Sequence, residues 1–182
     1  MTSRAAVRAA FEAIGEHFAA TREHPWPEVE SFVEGAGPAA VALDAGCGNG
    51  RHAELLAGVA ERVVGVDASH ELLGVARGRA AGRGYALAPV AGDAARLPVA
   101  TGRVGLAVYV ATLHHLPTRA GRVASLDELA RVLAPGGRAL VSAWSTTHER
   151  FDRTEGFDTT VDWTLPDGAT VERFYHVYDP GE

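Results

Sequence analysis

The sequence contains no lysine, one cysteine and no long run of apolar residues. A helix needs about 20 mostly apolar residues to cross a bilayer, so we expect a soluble chain with no membrane partner. The N-terminus also lacks the basic segment and apolar stretch of a secretory signal. Cys47 has no second cysteine with which to form an internal disulfide. These absences favour a reducing, cytoplasmic location.

Positive charge is scarce relative to what a nucleic-acid-binding surface requires. The net charge is -6 over 182 residues. Residues 1–144 contain 14 Arg and 14 acidic residues, whereas residues 145–182 contain three Arg and nine acidic residues. Because phosphate neutralisation dominates affinity for nucleic acids, this balance counts against a large nucleic-acid footprint on the chain alone.

The length fits a single domain, residues 1–182, which we divide into three segments. Residues 1–37 form a helical N-terminal segment, because apolar residues recur at helical spacing over Ser3–Ala20 until two prolines interrupt the pattern. Residues 38–144 form the core, and residues 145–182 form the acidic C-terminal segment. The core contains five short apolar runs that we predict to be strands: Ala40–Ala45, Arg62–Asp67, Tyr85–Ala91, Val104–Ala111 and Arg138–Trp144.

Helical segments fit between most of these strands, around His52–Ala60, Ser69–Ala81 and Arg119–Leu133. Alternating strands and helices predict an α/β fold with a doubly wound, mostly parallel sheet and right-handed crossovers. The turn Pro135-Gly136-Gly137 leads into the fifth strand. Pro89 predicts that the third strand is an edge, because proline cannot donate to a central ladder.

Glycines at positions 46, 48 and 50 follow the first strand and precede a helix. Glycine tolerates a positive φ and lets a ligand approach the backbone, and the free amides of a helix N-terminus attract anionic groups. Asp67 ends the second strand, where a doubly wound fold presents an acid to ribose hydroxyls. The alternative is a tight turn at the glycines and a helix cap at Asp67. Nicotinamide dinucleotide sites have the pattern Gly-x-Gly-x-x-Gly, and Arg51 stands where the third glycine would be, which counts against such a site.

From the first strand to the fifth, the sequence resembles the class I S-adenosylmethionine methyltransferases. Asp44, Gly46, Gly48 and Gly50 match the family's Asp-x-Gly-x-Gly-x-Gly loop. The resemblance implies S-adenosylmethionine as cofactor, with Asp44 and Gly46 at its methionine moiety and Asp67 at its ribose. It also implies that Asp93, in Gly-Asp-Ala, accepts a hydrogen bond from the adenine amine, the alternative being a solvated loop acid. We predict no metal site.

Two histidines, His114 and His115, follow the fourth strand at the edge where open α/β sheets bind ligands. Such side chains can orient a substrate or remove a proton, so both are candidate catalytic residues. The alternative is that they are packing residues.

Both flanks of the core resemble the tRNA wobble-uridine carboxymethyl methyltransferases, the family that includes the methyltransferase part of AlkB homologue eight. Thr21-Arg22 and Pro25-Trp26-Pro27 match the segment before the core, and Trp163 and Arg173-Phe174-Tyr175-His176 match the segment after it. Asp162 stands where that family usually has proline. The resemblance implies a carboxylate acceptor, carboxymethyluridine at the wobble position, and a methyl ester product.

A carboxylate is ionised at neutral pH, so its attack on a sulfonium methyl group depends on alignment more than on a strong base. Arg22 is our candidate for holding the carboxylate or a phosphate, since guanidinium pairs bidentately with oxyanions. The alternative is a salt bridge to Glu23 or Glu28. Trp26 and Trp163 can stack a base or pack in the core. The resemblance also implies that Arg173 and His176 lie at the substrate.

The resemblance implies a partner as well. In that family a small zinc-binding activator protein joins the edge formed by the third strand. Class I folds usually continue with a further helix and two strands, which we expect to be lacking here, unless residues Thr170–Tyr178 fold back to cover the fifth strand. Two alternatives stay open: a class I methyltransferase of a small molecule, of the quinone or lipid precursor type, and a truncated, non-catalytic cofactor-binding protein.

Overall fold

The computed structural model describes residues 2–182 of the chain. Its centre is a parallel sheet of five strands in the order β3-β2-β1-β4-β5. The strands are β1 Ala39–Ala45, β2 Ala60–Asp67, β3 Ala88–Ala91, β4 Val104–Val110 and β5 Leu133–Ser142. The predicted doubly wound α/β fold is therefore confirmed.

The helices alternate with the strands after two N-terminal helices. They are α1 Arg4–Ala20, α2 Pro27–Glu34, α3 Arg51–Ala57, α4 His70–Arg83 and α5 Arg119–Val132, with a short 3-10 helix at Leu113–His115. Three of them begin where a side-chain oxygen accepts a backbone N–H, at Ser3, Ser69 and Thr118. These caps satisfy amides that the first helical turn leaves free. No helix within residues 2–182 is both long and apolar enough to span a bilayer.

Apolar side chains on the two faces of the sheet form two buried clusters. Ala42 and Leu43, which are neighbours in β1, belong to different clusters because successive strand residues point to opposite faces. One cluster includes Leu129 and Val132 of α5, and the other is covered by α2 and α3. This two-sided core fixes the carboxyl ends of β1, β2 and β4 side by side.

The C-terminal segment forms an antiparallel hairpin that lies outside the central sheet. Its strands are β6 Phe157–Thr164 and β7 Thr170–Val177. An isolated bridge between Ser145 and Tyr178 connects the end of the hairpin to the segment after β5. Residues 170–177 thus fold as a strand, but they pair with β6 and leave the outer edge of β5 without a strand partner within residues 2–182.

Two of the predicted strands start three or more residues away from the predicted position, whereas the other three differ by one or two residues. The strand predicted over Tyr85–Ala91 begins only at Ala88, and the Tyr85 hydroxyl instead donates to the Gly50 carbonyl oxygen. The fifth strand begins earlier than predicted, because Leu133 already pairs with Val104 before the Pro-Gly-Gly turn forms a bulge. β3 lies at the edge of the sheet, as its proline predicts.

Candidate functional site

The loop after β1 is shaped by its glycines. Gly46, Gly48 and Gly50 have φ angles of 72°, 51° and 78°, which favour glycine over other residues. A side chain at Gly46 would collide with the side chain of Thr112, which lies just after the end of β4. At Gly48 a Cβ would meet no atom within 4 Å. The backbone at Gly48 is therefore open to a ligand.

Asp44 lies at the end of β1 beneath this loop and is 1% exposed. Its Oδ2 atom has no hydrogen-bond partner in the described chain. Burial raises the pKa of Asp44 to about 7, and the negative charge of Asp67 adds to the effect. A buried acceptor without a partner costs free energy, so this carboxylate fits a donor or cation supplied by a ligand.

Asp67 holds the glycine loop to the start of α4. Its Oδ2 accepts the Gly48 N–H at 2.8 Å, and its Oδ1 accepts the Ser69 N–H at 2.9 Å. Burial raises the pKa of Asp67, although the hydrogen bonds from Gly48 and Ser69 lower it in part. The cap of α4 is Ser69, whose hydroxyl accepts the Leu72 N–H. Each Asp67 oxygen retains a second acceptor position for a ligand hydroxyl.

A cavity of about 570 Å³ opens over the carboxyl ends of β1, β2 and β4. It brings together six of the residues that we predicted for the site: Arg22, Gly46, Gly48, Asp67, Asp93 and His115. The other predicted site residues do not line it: Asp44, Gly50, His114, Trp26, Trp163, Arg173 and His176. Gly50 instead begins α3, and Asp44 lies one layer below the wall.

Helix α1 forms the roof of this cavity. Val7, Phe11 and Phe18 face the cavity, whereas Ile14 from the same apolar stripe is buried. Arg4, at the first turn, forms an ion pair with Asp93 in the loop after β3. The sequence pattern revealed the apolar stripe of α1 but gave no sign of which residues face a ligand.

Asn49 joins the roof to the glycine loop and was not among the predicted site residues. Its Nδ2 donates to the carbonyl oxygens of Ala19, at 3.2 Å, and Arg22, at 2.9 Å. Asn49 is 5% exposed, so both bonds are shielded from water. Its position between two loop glycines was the only available signal in the sequence.

Arg22 follows α1 and is free of the salt bridges considered as alternatives. Within residues 2–182 Glu23 pairs with Arg79 and Arg83, and Arg22 forms no ion pair. Its guanidinium lies 5.0 Å from the Phe18 ring centroid and 5.5 Å from that of Trp163. This cation is held by aromatic faces beside the cavity.

Trp163 and Arg173 of the hairpin lie behind Arg22. The Arg173 guanidinium is 4.9 Å from the Trp163 ring centroid, and the Trp163 Nε1–H donates to His17 Nδ1 at 3.0 Å. Arg173 is buried, its Nε has no partner among residues 2–182, and burial lowers its pKa. The guanidinium groups of Arg22 and Arg173 thus both contact the Trp163 indole next to the cavity.

The two neighbouring histidines have different surroundings. His114 is 1% exposed, accepts the Trp144 backbone N–H and stacks on Tyr175, so it is a packing residue in this structure. His115 lines the cavity, and its Nδ1 lies 2.8 Å from the Phe174 carbonyl oxygen. Burial lowers the pKa of His114 to about 2 and that of His115 to about 4, so both are neutral at neutral pH.

Two predicted substrate residues, Trp26 and His176, do not line the cavity. Trp26 packs behind two residues that do: the His52 ring, with centroids 6.1 Å apart, and the Arg51 guanidinium. His176 is paired through Nδ1 with Asp158 at 2.7 Å and through Nε2 with the last residue, Glu182, at 3.1 Å. In residues 2–182 no group of three or more His, Cys, Asp or Glu side chains is placed to hold a metal ion.

A methyltransferase domain model matches residues 43–141, just over half of the chain, which span the glycine loop, Asp67, Asp93 and both histidines. The chain belongs to the methyltransferase domain family. Among its relatives is the tRNA (carboxymethyluridine(34)-5-O)-methyltransferase ALKBH8 of Macaca fascicularis, 34% identical over 79% of this chain and 20% of that protein. The chain thus spans about a fifth of the length of this relative.

The tRNA (carboxymethyluridine(34)-5-O)-methyltransferase of Schizosaccharomyces pombe is 27% identical over 97% of this chain and 83% of its own length. Among solved structures, the DhpI-SAM-HEP complex superposes with a TM-score of 0.73, at 21% identity, over 100% of this chain and 87% of that one. A chain from the complex between the Haloferax volcanii Trm112 methyltransferase activator and a methyltransferase has a TM-score of 0.61 at 22% identity, over 73% of this chain and 58% of that one. These structures support the class I fold of this methyltransferase.

Proposed function

We propose that this methyltransferase uses S-adenosylmethionine to methylate the carboxylate of carboxymethyluridine at the wobble position of tRNA. One observation supports this most directly. A single cavity joins a glycine loop and two acids to an arginine, Arg22, that lies between aromatic rings. We take the identity of the methyl acceptor from the relatives, whose names state this reaction.

The cavity wall and the layer beneath it fit the cofactor. The open backbone at Gly48 and, one layer below it, the Asp44 Oδ2 without a partner among residues 2–182 suit its methionine end. Asp67 has acceptor positions left for ribose hydroxyls, and Asp93 would accept from the adenine amine once Arg4 moves aside. When bound, S-adenosylmethionine supplies an electrophilic methyl group on a positively charged sulfur.

The acceptor needs to be positioned more than deprotonated. A carboxylate with a reference pKa of about 4 is ionised at neutral pH, so one oxygen can form a bond to the methyl carbon as the carbon–sulfur bond breaks. Arg22 would hold the second oxygen or a nearby phosphate with paired N–H donors. Aligning the two reactants can contribute roughly 7 to 11 kcal/mol of the barrier reduction.

The test is an assay with S-adenosylmethionine labelled in its methyl group and tRNA that carries carboxymethyluridine at the wobble position. We expect label in the tRNA that mild alkali releases, because the product is an ester. Unmodified tRNA is the control, since it lacks the carboxylate. Label that survives alkali would identify a ring nitrogen or carbon as the acceptor and contradict the proposal.

A small-molecule acceptor is the second candidate, and the charge distribution favours it. The net charge of -6 and the balanced charges of residues 1–144 provide no excess of cations for a long RNA. If the free nucleoside carboxymethyluridine or another small carboxylate were methylated while the tRNA was not, this candidate would replace the tRNA.

A partner at the edge strand belongs to the same proposal. β3 is short and carries Pro89, and within residues 2–182 it pairs on one side only, with β2. Exposed strand edges invite pairing with another chain. We propose that a small activator protein covers this edge, with zinc as its own metal, and the structural similarity to a methyltransferase that is complexed with an activator supports this. The activator should raise the melting temperature. An unchanged melting temperature together with full activity of the chain alone would contradict it.

A further inference from the structure

His115 lies where the roof, the sheet and the hairpin meet. It ends the 3-10 helix after β4 and lines the cavity. Its ring contacts Phe11 of α1, with centroids 4.8 Å apart, and Tyr175 of β7, with centroids 4.5 Å apart. Its imidazole is therefore held from two sides, and its orientation relative to the cavity is fixed.

The hairpin also fixes the tautomer of this imidazole. Nδ1 lies 2.8 Å from the Phe174 carbonyl oxygen, which can only accept, so Nδ1 carries the proton. In a neutral imidazole the other nitrogen, Nε2, is then an acceptor. The ring is neutral because burial lowers its pKa, and the nearby Arg173 charge adds to this. His114 and Tyr175 also contact this ring, and because burial lowers the pKa of His114 and raises that of Tyr175, both are neutral.

The acceptor nitrogen has no hydrogen-bond partner among residues 2–182, although the first nitrogen of the same ring has one. His115 is only partly buried, and its Nε2 is not among the buried atoms that lack a partner, so this nitrogen is accessible from the cavity that His115 lines. A ligand bound there can satisfy this acceptor only with an N–H or O–H group of its own. A carboxylate cannot do so.

We infer that His115 Nε2 accepts the imide N–H of a uracil-type base and so selects the base that carries the methyl-accepting carboxylate. The inference rests on the proposed function. The ring carbonyls of uracil are acceptors, which leaves the imide N–H as the donor of the base. The Phe11 and Phe18 rings supply flat apolar surfaces on which the same base can stack. His115 is thus a specificity-determining residue that binds the base, whereas Arg22 binds the carboxylate.

The inference can be tested with two anticodon stem-loop RNAs that carry carboxymethyluridine, one of them methylated at the imide nitrogen. We expect the native enzyme to prefer the unmethylated RNA at least tenfold in kcat/KM, because the methyl group removes the donor. In His115→Phe the ratio of the two kcat/KM values should fall towards one. In His115→Gln it should largely return, since an amide oxygen can replace Nε2.

His24→Phe is the matched control, because His24 is exposed and does not line the cavity. It should keep the full preference. Melting temperatures would show whether His115→Phe folds. A native enzyme that methylates both RNAs equally, or a His115→Phe variant that retains the preference, would overturn the inference.

A second measurement separates this inference from the proposed function. In the enzyme labelled with ¹⁵N at histidine, the His115 signals should show a protonated Nδ1 and an unprotonated Nε2. Addition of carboxymethyluridine should shift the Nε2 signal, whereas the analogue methylated at the imide nitrogen should not. A protonated Nε2, or no shift with either nucleoside, would refute the inference. If neither RNA is methylated but the selective shift is present, the inference holds and the proposed reaction fails.

Discussion

Replacing Asp44 by Asn should make the free protein more stable above neutral pH while weakening cofactor binding. Asp44 is buried, one of its oxygens has no partner among residues 2–182, and its pKa is raised to about 7. The folded protein therefore retains a proton on Asp44 at pH values where the unfolded chain has lost it. Stability falls as pH rises between the two pKa values, because the folded state binds more protons there.

The magnitude follows from the size of this shift. A pKa raised from 3.8 to about 7 corresponds to about 4 kcal/mol of destabilisation once the pH exceeds 7, at 1.36 kcal/mol per unit. Below pH 4 the effect is absent, since both states are protonated. The Asn side chain carries no such charge. Its own unpaired N–H costs about 1 to 3 kcal/mol, and that cost does not change with pH.

The assay is urea unfolding of the native protein and Asp44→Asn at several pH values between 4.5 and 8.5. The difference in the free energy of unfolding should grow in favour of the variant by several kcal/mol as the pH rises. Asp152→Asn, which alters an exposed carboxylate, is the control and should show little change with pH. A difference between native and Asp44→Asn that is constant over this range would refute the reasoning.

Three further substitutions probe the loops around the cavity. Ala111, which follows β4, has a φ of 52°, so Ala111→Gly should raise the free energy of unfolding by about 0.5 to 1 kcal/mol in urea titrations, since a left-handed conformation strains alanine. Asn49→Asp keeps the shape but turns a carboxylate towards two carbonyl oxygens, and should cost about 1 to 3 kcal/mol by the same assay. Asp67→Ala should weaken S-adenosylmethionine binding about fivefold to 150-fold in calorimetry, because ribose hydroxyls lose an acceptor; unchanged affinity would remove Asp67 from the site.

The fold was predictable because local and global signals agree in this sequence. Short apolar runs alternate with helical segments, and the glycine loop marks the first turn of the sheet. Pro89 correctly placed β3 at an edge. The bounds of β3 and β5 were wrong, because apolar character cannot distinguish a residue in the ladder from one that packs beside it. Tyr85 is such a case, since its hydroxyl bonds to the Gly50 carbonyl oxygen.

The cavity was most predictable where backbone geometry determines it, although Arg22, on a flank, was also predicted and lines it. Gly46, Gly48, Asp67 and Asp93 lie at the ends of strands, and parallel strands bring such positions to one edge of the sheet. Side chains on the flanks lack this constraint. Trp26 was placed at the substrate by resemblance, but it does not line the cavity and instead packs against two residues that do, His52 and Arg51.

The different positions of His114 and His115 could not have been derived from the sequence, because the deciding contacts come from distant segments. The hydrogen bond from His115 Nδ1 reaches Phe174, 59 positions away, and His114 stacks on the next residue, Tyr175. A hairpin outside the main sheet thus decides that one imidazole packs in the core and its neighbour faces the cavity with a free acceptor nitrogen. Because this bond depends on the β6–β7 hairpin, changes that loosen the hairpin should alter acceptor selection before they alter cofactor binding.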